Sequence, residues 1–477
     1  MMNGLNWKRY LLWFANEHTH FRINEIESLR SLFGIQMKWV EKNHHEPFCI
    51  VDIPTEEDVL KIASRSVSLR SCIELWACGA KLGDLHNNLK LLPVEQLASY
   101  FKPELSFKIK VETFCKSQTQ EEKVAKIESF SYLPLCGPVK LKNPDIKLEL
   151  IEYYGLDSNN IPDEPYQVFF GRWVADGQRD LISKLSLKTR KFIGNTSMDP
   201  QLSLLMANQA KVKEGDLILD PFVGTGSLLV AAAQFGGYVL GTDIDYLMLH
   251  GKTRPTRIQQ KKQREKDESV RTNMKQYGIE NRYLDVLVAD SSLPLWHSAM
   301  RLDAIITDPP YGIREATERI GSTKDYQIEE KHLANHIPSK IEYGLQQIFF
   351  DLLKLAVEHL KPQGRLVCWI PVVRNDYCES KLPSHPCLQL VANSEQQLTI
   401  FTSRRLLTYE KICEHETHLP PNVDLSTAEF RAKFFRYGEE VRKHRKQQKE
   451  LAMNLSKATV TEKDKMYEDK SGRYRSS

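Results

Sequence analysis

The stretch IITDPPYG (residues 305–312) places a carboxylate, two prolines, a tyrosine and a glycine directly after an apolar run. The run from Leu302 to Ile306 is short and rich in branched residues, which is typical of a buried strand in a parallel sheet. The prolines end that strand, because neither can donate a hydrogen bond to a neighbouring strand. Open α/β sheets bind their ligands at the carboxyl ends of the strands. The stretch therefore predicts a ligand-binding rim at Asp308.

Strands and helices alternate on both sides of this rim. Strand patterns occur at residues 216–222, 238–245, 283–290, 302–310 and 365–371, with helical patterns at 226–237 and 341–364. A closing antiparallel pair is predicted at 388–411. This alternation predicts an α/β fold with a doubly wound, mostly parallel, seven-stranded Rossmann-like sheet.

The first 190 residues have a different rhythm, with short apolar runs between polar breaks. A strand is predicted at 105–114, followed by a helix and by two strand-like runs around the turn Asn143-Pro144-Asp145. Lys140, Lys142 and Lys147 cluster at that turn, where a lysine either blocks a sheet edge or contacts a phosphate. The predicted organisation is an α+β region at 1–85, a second α+β unit at 86–160, a linker at 161–190, the α/β domain at 191–415 and a charged, partly disordered tail at 416–477.

Composition excludes several classes of protein. The 477 residues are 41% hydrophobic and 27% charged with a net charge of +4, so any basic surface has to be local. The sequence has no apolar stretch of 18 residues, so we expect no membrane span, and the six-residue apolar patch near its start is too short for us to expect a secretory signal. Nine cysteines without a C-x-x-C pair are typical of a reduced, intracellular chain. We expect a cytoplasmic protein with no membrane partner.

Three segments offer weaker signals. Cys413, His415 and His418 lie close together in CEHETH, but their spacing is not that of a zinc motif, so we expect no metal site. The basic loop 252–277 is either solvated or in contact with phosphates. The tail from 416 is rich in charge, and its role is open.

A glycine turn, DPFVGTG (220–226), follows the first strand of the α/β domain. Gly224 and Gly226 allow the backbone to approach a ligand, and the helix that begins there supplies unpaired N–H groups. A dinucleotide-binding turn would have a third glycine where this chain has Leu229. Asp220 repels a phosphate and attracts a cation, so S-adenosylmethionine fits better. We expect this ligand to be bound by the turn, including Phe222.

The next two strands also end in carboxylates. Asp243 can accept hydrogen bonds from both ribose hydroxyls, and Asp290 lies within reach of the adenine amino group. Either residue alone could equally be a turn former or a helix cap. Three successive strand ends with this chemistry predict an adenosylmethionine site.

With DPFVGTG and DPPYG in this strand order, residues 190–410 resemble the class I S-adenosylmethionine-dependent methyltransferases, in the branch that methylates amino groups of bases. The resemblance implies a methyltransferase sheet and S-adenosylmethionine as methyl donor.

The chemistry of an exocyclic amine explains the DPPY turn. The amine is a poor nucleophile because its lone pair is delocalised into the ring, and Asp308 with the carbonyl of Pro309 can accept its two hydrogens. Pro309 and Pro310 hold these acceptors in place. Tyr311 can stack on the base, which is worth about 1–3 kcal/mol, and the base must leave its helix to reach the turn. The alternative is an ordinary capped turn.

The stretches FKIKVETF (107–114) and VKLKNPDIKLELIE (139–152) resemble the THUMP module, a small RNA-binding unit of tRNA-modifying enzymes. The resemblance places a THUMP-like portion at 86–160, with Lys140, Lys142 and Asn143 as RNA contacts. Residues 171–210 and TDPPYGIRE (307–315) are similar to the eukaryotic tRNA guanosine-10 N2-methyltransferase catalytic-subunit family. This implies methylation of the N2 amino group of guanosine 10 in tRNA, and a small zinc-binding activator subunit as partner.

Other functions remain open on the sequence. The chain could act at another tRNA guanosine, or be a non-catalytic RNA-binding scaffold with a methyltransferase fold. Intact Asp220, Asp243, Asp290 and Asp308 disfavour the scaffold. A DNA methyltransferase would need a target-recognition region, for which loop 252–277 is too short, so we expect no DNA partner.

Overall fold

The computed structural model of the protein describes residues 7–255, 263–322, 338–414, 419–426, 428–440, 442–443 and 445–450. Its strands are β1 Lys8–Phe14, β2 Lys38–Glu41, β3 Phe48–Ile53, β4 Leu69–Gly79, β5 Phe107–Phe114, β6 Ile146–Tyr153, β7 Gln167–Asp176, β8 Leu217–Asp220, β9 Tyr238–Asp243, β10 Tyr283–Val288, β11 Leu302–Thr307, β12 Glu318–Ile320, β13 Lys340–Glu342, β14 Leu360–Val373, β15 Leu388–Gln397 and β16 Thr402–Lys411. Its helices are α1 Arg22–Phe33, α2 Glu56–Ala63, α3 Leu82–Lys90, α4 Val94–Leu97, α5 Gln120–Glu128, α6 Asp180–Lys184, α7 Pro200–Gln209, α8 Ser227–Gln234, α9 Tyr246–Leu249, α10 Val270–Gln276 and α11 Leu345–His359. Residues 428–440, 442–443 and 445–450 are also helical and form what we call the tail helix.

The N-terminal sheet has the order β2-β3-β1-β4-β7-β6-β5. Its pairs are antiparallel except for β5 with β6, and apolar clusters cover both faces. The expected linker at 161–190 is therefore wrong in its middle, because β7 lies between β4 and β6. The polar, proline-containing stretch before β7 resembles a linker, but Val168, Phe169 and Phe170 are fully buried. Residues 1–85 and 86–160 thus contribute to one sheet rather than to two units.

The C-terminal sheet confirms the expected α/β fold. Its strand order is β10-β9-β8-β11-β14-β16-β15. The strands from β10 to β14 are parallel, and β16 and β15 form an antiparallel hairpin that pairs with β14. Helix α8 is all but fully buried because its residues are small and apolar, whereas α11 is amphipathic and buries one face. Strands β8, β9, β10 and β11 all end at one edge, which we call the carboxyl edge. The glycine turn, the two further acidic strand ends and the DPPY turn lie there.

A buried carboxylate joins the two halves of the chain. Glu25 of α1 is fully buried and accepts hydrogen bonds from Val67 N at 2.8 Å, Ser66 Oγ at 2.6 Å and both the N and Oγ of Ser68. It also accepts from Asn208 Nδ2 of α7 at 2.7 Å. The oxygens of this buried carboxylate have all the hydrogen-bond donors that they need. Removal of one donor would leave a buried acceptor unpaired, which destabilises the fold. Glu25 therefore ties the N-terminal sheet to the first helix of the C-terminal half.

The described part of the tail follows the C-terminal sheet instead of leaving it. Asn422 exchanges backbone hydrogen bonds with Ser384, and Val423, Leu425 and Phe430 pack against the core of the sheet. The tail was expected to be partly disordered; residues 451–477, to which that expectation chiefly applies, lie outside the described residues. Among the described helices, none is both long enough and apolar enough to cross a membrane.

Candidate active site

The glycine turn sits at the end of β8 and is held by the carboxylates around it. Asp220 Oδ1 accepts from Phe222 N at 3.1 Å, and Gly224 N donates to Asp243 Oδ2 at 2.8 Å. Gly224 has φ +48°, which favours glycine, and a Cβ atom there would meet open space. At Gly226, with φ +75°, a Cβ atom would lie 2.6 Å from Val270 Cγ1. The turn thus needs glycine for its backbone, and Gly224 borders free volume that can hold a ligand.

The other two predicted carboxylates occupy the expected strand ends. Asp243 ends β9 and is half-buried, with its second oxygen accepting from Asp245 N at 2.9 Å. Asp290 follows β10 and is buried; its oxygens accept from Ser292 N and from Ile320 N of β12. The hairpin of β12 and β13 therefore lies against the strand end predicted to face adenine.

The DPPY turn follows β11 at the same edge. Asp308 Oδ2 accepts from Arg404 Nη1 at 3.1 Å, and Oδ1 accepts from the hydroxyl of Tyr311. Pro309 is buried and Pro310 is half-buried. The turn is joined to the glycine turn, because Thr307 Oγ1 donates to Asp220 Oδ1 at 2.7 Å. The structure therefore brings the predicted cofactor and catalytic residues to one edge, where the glycine turn and the DPPY turn are directly linked.

Burial controls the charge of this edge. It raises the pKa of Asp220 to about 7, against the hydrogen bonds from Thr307 and Phe222. It also raises the pKa of Asp243 and of Asp308; at Asp308 the nearby Arg404 guanidinium acts in the opposite direction. A cationic ligand placed here would stabilise the ionised forms of these carboxylates. The edge has the electrostatics for a sulfonium group rather than for a phosphate.

Arg404 was not among the residues predicted from the sequence. It lies on β16, opposite Pro371 of β14, with its guanidinium 4.1 Å from the ring centre of Trp369 and its Nε donating to Gln396 at 2.7 Å. The signal that could have found it is the pair Arg404-Arg405 near the start of β16, where an antiparallel strand enters the carboxyl edge. Without the register of β16 on β14, the partner of Arg404 could not be identified.

The predicted RNA contacts lie elsewhere. Lys140, Lys142 and Asn143 are exposed in the segment before β6, beside the edge strand β5 of the N-terminal sheet. Lys140 N donates to Phe107 O at 3.0 Å, and Asn143 adopts φ +46° in the turn. The first of the two strand-like runs predicted here is only an isolated bridge between Val139 and Phe107. These residues are available at the surface but are not part of the active-site edge.

Two weaker candidates are limited by what the structure describes. In the basic loop 252–277, Arg264 is buried and pairs with Glu268 at 2.8 Å, so this cation is structural; residues 256–262 lie outside the described residues. Cys413 is exposed, whereas His415 and His418 lie outside the described residues. Within the described ranges, no group of three or more His, Cys, Asp or Glu side chains could hold a metal ion.

Comparison with known proteins identifies the family. Residues 8–179 match the Tmrp11 THUMP N-terminal domain, and residues 188–327 match the RMKL-like methyltransferase domain. The chain is 49% identical over 413 residues to the tRNA (guanine(10)-N(2))-methyltransferase TRMT11 of Gallus gallus, covering 86% of this chain and 89% of that protein. It is 50% identical over 410 residues to the protein of the same name from Mus musculus, with the same coverage of 86% and 89%.

Among solved structures, TrmN from Thermus thermophilus is 18% identical with a TM-score of 0.40, covering 85% of this chain and 100% of that one. The sequence identity to the curated relatives extends over nearly their whole length, and both halves of the chain match the corresponding domains. The chain therefore belongs to the family of the tRNA (guanine(10)-N(2))-methyltransferase TRMT11.

Proposed function

We propose that the chain transfers a methyl group from S-adenosylmethionine to the N2 amino group of guanosine 10 in tRNA. The observation that carries this proposal is the linkage of the two turns through Thr307 and Asp220. It keeps the carboxylate of Asp308 and the cofactor turn at one edge of the sheet. The names of the relatives specify the same reaction and the same nucleotide.

Asp308 is the residue that acts on the amine. Adenosylmethionine supplies an electrophilic methyl group when it is bound. Asp308 and the carbonyl oxygen of Pro309 accept the amino hydrogens, so the nitrogen lone pair is directed at the methyl carbon. As the N–C bond forms, the C–S bond breaks and its electron pair stays on sulfur. The nitrogen then loses a proton, and burial raises the pKa of Asp308, which makes it a better acceptor for that proton.

Arg404 and Tyr311 prepare that carboxylate. Both donate hydrogen bonds to Asp308, one to each oxygen, which fixes the plane of the carboxylate before substrate arrives. The base has to compete with these donors or share the oxygens with them, since each carboxylate oxygen can accept more than one hydrogen bond. Arg404 also favours the ionised form of Asp308, because its positive charge opposes the effect of burial.

We place the cofactor in the free volume beside Gly224. Asp243 accepts from Gly224 N in the same turn and is suited to accept from the ribose hydroxyls. Asp290 is assigned to the adenine amino group by its place after β10 alone, because it is buried and both of its oxygens already accept from backbone N–H groups. Asp220 supplies negative charge behind the turn. The ordinary dinucleotide alternative is disfavoured, because a phosphate would meet three carboxylates.

We also propose that a small zinc-binding activator subunit binds this chain. The support is an apolar edge: β10 is the outermost strand of the C-terminal sheet, and Leu284, Leu287 and Val288 are 53%, 46% and 44% exposed on it. An edge strand with exposed apolar residues is suited to association with another chain.

The test is incubation of the full chain, with and without a partner fraction from cell extract, with radiolabelled adenosylmethionine and unmodified tRNA. The labelled nucleoside is then identified and mapped. We expect N2-methylguanosine at position 10. Label in another guanosine would show that the chain acts at a different nucleotide. Adenosylmethionine binding without label in any RNA would favour the non-catalytic RNA-binding scaffold.

A further inference from the structure

The tail helix starts beside the DPPY turn. A Cβ atom built on Gly312 would lie 3.3 Å from Arg431 Cδ, so the first turn of the helix borders the catalytic turn. Lys433 Nζ lies 2.6 Å from Asp376 Oδ2, just past the end of β14. Tyr437 stacks on Phe401, just before β16, with ring centres 4.7 Å apart. Residues 431–437 are thus anchored on the carboxyl edge.

Charges are segregated around this helix. At 3.6 residues per turn, Arg431, Arg442, Arg445 and Lys449 fall on one side. The helix packs through an adjacent side, which carries Phe430, Phe434 and Tyr437. Glu429 and Glu440 lie roughly opposite the cations by the same helical spacing. We call the four cations the basic stripe.

The basic stripe is not neutralised by neighbours. All four residues are exposed, and within the described part of the chain none of them forms an ion pair. By contrast, Lys433 pairs with Asp376 and Glu429, and Arg436 lies 3.9 Å from Glu440. Lys433 therefore holds the helix in place, whereas the four cations of the stripe have no acidic partner among the described residues.

We propose that the basic stripe binds the phosphate backbone of the tRNA next to the nucleotide that enters the active site. This inference rests on the proposed function. Residues 431 to 449 of a helix span about 27 Å at 1.5 Å per residue, enough to follow several phosphates of a stem. The stripe begins at the catalytic turn, so it contacts the strand from which the target base is taken. An exposed row of cations is suited to bind phosphates rather than an apolar partner.

The experiment replaces Arg445 and Lys449 with Glu in the full chain. Both residues are exposed and lie beyond the anchored turns, so folding should be retained; thermal unfolding checks this. A matched control replaces Lys184 and Lys188 with Glu, since they are another exposed basic pair at the same spacing, at the end of α6. The affinity for tRNA is measured at several salt concentrations, together with kcat/KM for methyl transfer and adenosylmethionine affinity.

We expect R445E/K449E to lower tRNA affinity at least tenfold at low salt, with a shallower salt dependence and unchanged adenosylmethionine affinity. The slope of log affinity against log salt should fall by about one for each phosphate that is no longer neutralised. The charge-conserving R445K/K449R should retain parent affinity. Parent affinity and slope in R445E/K449E, or an equal loss in the control, would overturn the proposal. If the parent chain methylates another nucleotide, the proposed function fails, while the affinity comparison still decides whether the stripe binds tRNA.

Discussion

Arg404 Nη1 lies 3.1 Å from Asp308 Oδ2, although the two residues are 96 positions apart in the sequence. The pair joins the antiparallel strand β16 to the turn after β11 across the carboxyl edge. Since Arg404 is only 13% exposed in its side chain, solvent screens the interaction weakly. The pair makes the ionisation of Asp308 depend on a strand that two other strands, β11 and β14, separate from β8 in the sheet.

Arg404→Leu should make methyl transfer more sensitive to acid. Loss of the guanidinium raises the pKa of Asp308 further, and the ionised form is the one that accepts from the amine. As the pH is lowered, the variant therefore loses activity at a higher pH than the parent protein does. We expect the fractional loss of kcat/KM to be several-fold greater at an acidic pH than at an alkaline pH.

The control is Arg405→Leu, because Arg405 is adjacent but its guanidinium lies 3.8 Å from the ring centre of Tyr377 instead. An equal fractional loss of Arg404→Leu activity at both pH values would mean that Arg404 acts through packing alone.

Asp308→Ala should abolish methyl transfer and leave adenosylmethionine affinity nearly unchanged. The carboxylate acts on the amine, whereas the cofactor is held by the turn after β8. Single-turnover methylation and calorimetry measure the two effects. Asp303→Ala, at the opposite end of β11, is the control, since Asp303 pairs with Lys361. More than half of the parent rate in Asp308→Ala would refute the assigned role.

Cofactor binding should release protons from Asp220. Its pKa is raised to about 7 by burial, so on the order of half of the carboxyls carry a proton at neutral pH. A bound sulfonium stabilises the ionised form and lowers that pKa. Calorimetry in two buffers of different ionisation enthalpy should show about half a proton released per cofactor at pH 7.

Asp220→Asn should remove this release, whereas Asp216→Asn should retain it, because Asp216 lies at the other end of β8. Equal enthalpies of parent binding in both buffers would place the cation away from Asp220.

Lys140→Glu with Lys142→Glu should weaken tRNA binding in a salt-dependent way. Both side chains are exposed beside the edge of the N-terminal sheet, and the salt slope should decrease by about one for each phosphate that either lysine neutralised. Filter binding over a salt series measures this, with the Lys184 and Lys188 charge reversal as control. Unchanged affinity would assign the lysines to protection of the sheet edge.

The catalytic half was predictable because its signals are local. Asp220, Asp243, Asp290 and Asp308 each end an apolar run, and parallel strands bring such ends to one edge. The N-terminal half was less predictable, because β7 pairs with β4, far away in sequence, and follows a stretch that resembles a linker. Long-range register decides such pairings, and a single sequence does not contain it. For the same reason the partner of Asp308 on β16 was missed.

The buried Glu25 has a consequence for how a nucleotide is selected. One carboxylate shared by Ser66, Val67, Ser68 and Asn208 leaves the two halves little freedom to slide or rotate. A surface that grips one part of a folded RNA and a pocket that takes a base from another part are then kept a constant span apart. The chain would then modify the nucleotide that lies at that distance from the bound part of the RNA, and a change at the Glu25 junction would shift the modified position rather than abolish modification.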